Sequence, residues 1–148
     1  MPRRQNCAMK PLRALVLPAA LLALAQVWHG ATPAETFEPG TKEAIEGGYV
    51  GLVGGLFLLL GCIVASIAAR REKEWARPLS FVCGVGVSLG FVLYHATTLR
   101  SPVTNPYFGV DGIGAVQLAP VFACIVVGAW LAWAAWPLKA ESRAGATA

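Results

Sequence analysis

Four long stretches of this chain contain no Asp, Glu, Lys or Arg: residues 14–28, 49–69, 79–98 and 113–136. The second, Tyr49 to Ala69, has 21 residues; at ~1.5 Å of rise per residue a helix of that length reaches roughly 30 Å, the thickness of a bilayer's hydrocarbon core. The apolar residues fill these blocks without helical or strand periodicity, so no amphipathic element with one buried face would produce them. Only 14% of the chain is charged against 56% apolar, too few polar residues to cover a water-facing surface. The pattern predicts an all-α membrane protein, a four-helix transmembrane bundle in a single membrane domain. Its spans cover approximately 14–30, 49–69, 79–98 and 113–136, its outer loops 31–48 and 99–112, and its inner loop 70–78.

Orientation follows from the basic residues. Ten of the twelve Lys and Arg lie in the N-terminal segment (Arg3, Arg4, Lys10, Arg13), between the second and third blocks (Arg70, Arg71, Lys73, Arg77) and in the tail (Lys139, Arg143). The other two connections hold Lys42 and Arg100. Positive charge is retained on the cytoplasmic side, so both termini are expected there, in a multi-pass protein of a bacterial cell membrane. Trp28, Tyr49, Trp133 and Trp136 fall at block ends, where aromatic belts form. The first block is the shortest and follows a basic start, and Ala23-Leu24-Ala25 resembles a signal cleavage site. Retention as a helix is the favoured reading, with three spans remaining if it is removed.

Connections read as loops and caps. Thr32-Pro33-Ala34-Glu35 fits a capping box, Pro39-Gly40 breaks any short helix there, and Thr41 can cap the approach to the second span. Pro102, Asn105-Pro106 and Gly109 punctuate the second outer loop. Pro120 suggests a kink near the outer side of the last span.

Apolar surface gains nothing by leaving equally apolar lipid, so helices in a bilayer associate where small residues let backbones approach. Gly47, Gly51 and Gly55 are spaced by four on the second span. Ser80, Gly84 and Ser88 repeat that spacing on the third, with Gly86 and Gly90 on a neighbouring face. Cys124, Gly128 and Ala132 do so on the fourth. These three ridges are the candidate helix-packing residues, against partners within the chain or in a second copy.

Chemistry is sparse. No Asp, Glu, Lys or Arg lies inside spans two to four, which disfavours charge-coupled transport and aspartic intramembrane proteolysis. Ser66, Ser80 and Ser88 have no histidine or lysine at matching depth to activate them. The cysteines (Cys7, Cys62, Cys83, Cys124) form no C-x-x-C and read as small apolar residues. The basic clusters have no interleaved aromatic platform, so nucleic acid is not expected as a partner. His29 and His95 both sit near the outer ends of their spans, where two imidazoles could ligate a haem iron or copper; a solvated interfacial histidine is the plainer reading. The loop acids Glu35, Glu38, Glu43, Glu46 and Asp111 lack the cage a hard cation needs.

The expectation is a non-enzymatic accessory, scaffold or assembly subunit without a cofactor, partnered by the lipid bilayer and by a second copy or a larger membrane complex. The alternatives are a small permease or channel subunit for an uncharged solute, and a bis-histidine haem or metal redox subunit.

Overall fold

A computed structural model describes residues 11–32, 42–96, 107 and 113–136. A 3-10 turn at Leu12–Leu15 leads into helix α1, Val16–Ala31. Helix α2 spans Lys42–Arg70, α3 Ala76–Phe91 and α4 Ala115–Ala135, with a π-helical turn, Val92–Ala96, continuing α3. Four helical segments are long and apolar enough to cross a membrane: Leu12–Ala31, Gly51–Arg70, Ala76–His95 and Ala115–Ala135. No strand occurs among the described residues.

Local chemistry sets the ends. Pro18 and Pro78 sit in first turns, where a missing N–H breaks no helical bond. Thr32 closes α1: its N–H donates to the His29 carbonyl at 3.0 Å, and its hydroxyl to the Trp28 carbonyl at 3.0 Å. Thr32 thus serves the helix before it, and the rest of the expected capping box (33–35), like Thr41, lies outside the described residues. Helix α2 ends in two nested bonds, Glu72 N–H to Ala69 O at 3.1 Å and Lys73 N–H to Ala68 O at 2.9 Å. That closure requires a left-handed residue, and Glu72 adopts it with φ 54°. At the start of α4 the Gln117 side-chain oxygen accepts the Gly114 N–H at 3.1 Å. Pro120 is buried within α4, one helix bond forgone.

The helices alternate in direction. Leu15 at the start of α1, Ala68 and Ala69 at the end of α2, Ala76 at the start of α3, and Ala134 and Ala135 at the end of α4 form one cluster. Neighbours run around a ring, α1 with α2, α2 with α3, α3 with α4 and α4 with α1. The described basic residues Arg13, Arg70, Arg71, Lys73 and Arg77 flank the same end, where Arg13 pairs with Glu72 at 2.7 Å.

The packing is inside-out by the standard of a water-soluble bundle. Much of the interior is small: Ala19, Ala25, Cys62, Cys83, Cys124 and Ser80 are buried, joined by Leu22, Val87 and Leu131. The bulky residues face outward, among them Leu52, Leu60, Val82, Leu89, Val126 and Trp133, with Phe57 73% exposed. Small inside and large outside is the arrangement that close backbone approach in lipid selects.

The ridges on α3 and α4 are two sides of one contact. A Cβ placed on Gly84 would lie 2.5 Å from the Ala132 nitrogen and 2.7 Å from the Gly128 oxygen; one on Gly128 would lie 3.0 Å from the Gly84 oxygen and 3.1 Å from the Ser88 nitrogen. The Ser88 hydroxyl donates to the Ile125 carbonyl at 2.9 Å. Between α2 and α3, a Cβ on Gly51 would meet the Tyr94 hydroxyl at 2.9 Å, one on Gly86 Leu58 at 3.0 Å, and one on Gly61 the Cys83 sulfur at 2.7 Å. These pairs fix an antiparallel register that sets Gly55 opposite Gly90. Neither has any atom within 4 Å of its Cβ position, nor does Gly54 beside them. The surroundings of Gly47 lie outside what the structure describes.

Candidate functional site at the aromatic end of the bundle

The end of the bundle away from the arginines carries a group of polar and aromatic rings in contact. His29, in the last turn of α1, and His95, in the π turn after α3, are 66 residues apart in sequence. Their rings meet edge to face, with centroids 4.8 Å apart and planes at 67°. Phe91 stands 4.9 Å from His29, and Tyr94 4.7 Å from His95. Tyr107 packs 4.3 Å from His95 and 6.1 Å from His29, and its N–H donates to the His95 carbonyl at 3.0 Å, which pins that residue over the pair. His95 and Tyr107 are each 3% exposed.

The π turn positions His95. A shift from i→i+4 to i→i+5 bonding inserts one residue into the helix and rotates the residues beyond it by about a quarter turn, and such turns recur at functional sites. Over Val92–Ala96 it accompanies the placement of Tyr94 against Gly51 and of His95 against His29. On the partner side, Nδ1 of His29 is buried and has no hydrogen-bond partner among the described residues. Burying a polar atom without a partner costs roughly 1–3 kcal/mol, which a leucine at position 29 would avoid.

The arrangement discriminates between ligands. Imidazoles on opposite faces of a haem iron, each bonded at about 2 Å, have ring centroids roughly 6.4 Å apart with a macrocycle between them. At 4.8 Å and in contact, these two rings leave no such slot.

A second polar group, missed in the sequence, lies deeper. Cys62 of α2, Cys83 of α3 and Cys124 of α4 belong to one buried cluster, and the Gln26 amide of α1 donates to the Cys62 sulfur at 3.5 Å and to the Leu22 carbonyl at 3.4 Å. Gln26 is 8% exposed and its amide oxygen has no partner among the described residues. Each cysteine lies in an uncharged block on its own helix, so no spacing within one segment reveals the convergence. All three thiols are free and act here as compact packing groups. Ser66 donates to the Val16 carbonyl at 3.4 Å, while the buried Ser80 hydroxyl has no partner among the described residues.

The loop acids Glu35, Glu38 and Asp111 lie outside the described residues, as do the side chains of Glu43 and Glu46. No family model, curated protein or solved structure matches the chain. The case for its function therefore rests on its own geometry.

Proposed function

We propose that this chain is a multi-pass integral membrane protein with both termini in the cytoplasm, acting as a non-enzymatic accessory or assembly subunit. The outward rim of large apolar side chains supports burial in lipid, because a contiguous surface of that kind in water would drive aggregation. The gathering of Arg13, Arg70, Arg71, Lys73 and Arg77 at one end supports the orientation. The imidazole end then faces outward.

The observation that carries the association reading is the open space at Gly54, Gly55 and Gly90, where a Cβ would meet no atom within 4 Å. The other small-residue contacts are used up inside the chain: Gly84 and Gly128 meet each other, and Gly51 meets Tyr94. Here Leu52, Val53 and Leu56, next to Gly54 and Gly55 in α2, are exposed, and the glycines have nothing against them. Glycines left open in this way admit a neighbouring transmembrane helix, from a second copy or a larger complex, with its backbone close enough for strong van der Waals contact.

Mild-detergent sizing and in-membrane crosslinking test this. The wild type is expected to run as a defined assembly. Gly55→Leu or Gly90→Leu, which places a side chain where a Cβ meets no atom within 4 Å, is expected to release folded monomer. A strictly monomeric wild type, or an assembly indifferent to both substitutions, contradicts the reading.

A further inference from the structure

The imidazole pair is not needed for the assembly described above, and apolar packing does not account for it. Two histidines at the end of a lipid-facing bundle, one with a buried nitrogen that bonds to nothing described, are a poorer filling than two leucines. The π turn adds a second, independent departure from regular structure at the same place. Tyr107 covers the pair and is tied to the His95 backbone.

We infer that His29 and His95 form a binding site for a divalent transition-metal ion of borderline softness, zinc(II) or copper(II). Neutral imidazole suits these ions, and copper(II) leads the divalent series in affinity at nitrogen sites. The separation of the ring centroids fits a bent pair. With each nitrogen about 2.0–2.1 Å from the ion, a ring centroid sits roughly 3.2 Å away. Centroids 4.8 Å apart then subtend an angle of about 97° at the ion. That lies between the right angle of a square-planar site and the angle of a tetrahedral one. A linear two-coordinate ion requires the same wide separation as haem and does not fit.

Among the described residues no three His, Cys, Asp or Glu side chains gather at this end. The histidines therefore supply two ligands, and water or another oxygen donor completes the shell. An incomplete protein shell is the form of a site that exchanges its ion or presents it to something else, as opposed to the closed four-ligand sites that hold a fold together. The orphaned Nδ1 of His29 gains a partner when the ion binds. The thiol cluster of Cys62 and Cys83 lies deeper in the bundle and takes no part.

The test uses the full chain in detergent or nanodiscs, with zinc(II) for affinity by calorimetry and copper(II) for coordination by electron paramagnetic resonance. One zinc per chain is expected, and the copper spectrum is expected to carry hyperfine structure from two nitrogens. His29→Ala and His95→Ala should each weaken zinc binding by 100-fold or more, while a Cys62→Ala, Cys83→Ala, Cys124→Ala variant should bind as the wild type does. A wild-type copper spectrum without nitrogen coupling overturns the inference, and that arm requires no variant to fold. Zinc affinity that is unchanged in both histidine variants, or lost in the cysteine variant alone, overturns it too.

Discussion

Gly84 and Gly128 stand face to face across the α3–α4 interface, each so close that a methyl group on one would press against the other's carbonyl oxygen, at 2.7 and 3.0 Å. The obstacles are backbone atoms, which cannot rotate away. Gly84→Leu or Gly128→Leu therefore forces the two helices apart and removes the Ser88 bond to Ile125 along with the close contact. Overpacking of this kind costs about 1–3 kcal/mol, read as a lower midpoint in SDS titration from mixed micelles. Gly55→Leu, with nothing within 4 Å, should leave that midpoint within about 0.5 kcal/mol of wild type once measured on monomer.

Glu72 holds a left-handed conformation that glycine adopts without strain. Its bond to Arg13 lies in the open, with side chains 72% and 59% exposed, where water screens it. Glu72→Gly should raise stability by up to about 1 kcal/mol, and Glu72→Val, branched at Cβ, should lower it by about 1–2 kcal/mol. The same titration reads both.

Cys62, Cys83 and Cys124 are buried where α2, α3 and α4 converge. In a Cys7→Ser background, a water-soluble maleimide is expected to leave all three unmodified in the folded protein and to modify all three after SDS unfolding. Mass spectrometry counts the adducts.

Tyr107 lies over His95 and near His29. Tyr107→Ala should uncover both rings, so that diethyl pyrocarbonate modifies them several-fold faster than in wild type, followed by absorbance of the carbethoxylated imidazole. An unchanged rate would mean that the rings are shielded by something other than Tyr107.

How much of the molecule is legible in its sequence depends on what spacing can encode. The four helices are, because an uncharged run of about 20 residues has few other solutions. Their bounds shift where charge does not stop a helix: α2 starts at Lys42, well before its uncharged block, since backbone bonding continues past the apolar stretch. A repeat of four marks Gly84 and Gly128 as packing residues but not as each other's partners, because a face does not name its opposite. Gly61 lies off the ridge of Gly47, Gly51 and Gly55, yet it meets Cys83. The approach of His29 to His95 depends on the register of α1 against α3 and on a π turn, and both arise from tertiary packing. Their rings then stand too close for a haem between them, though not for a smaller ion.

The proposed topology, four crossings of a bilayer with both termini inside, underlies both the orientation of the bundle and the outward placement of the imidazole pair. Labelling of single cysteines on intact cells by a membrane-impermeant maleimide tests that topology most directly, in a background without Cys7. Ser101→Cys is expected to label on intact cells, whereas Arg71→Cys and Ala148→Cys should label only after lysis. Labelling of Arg71→Cys or Ala148→Cys from outside, or recovery of the intact chain in an aqueous fraction without detergent, would contradict it.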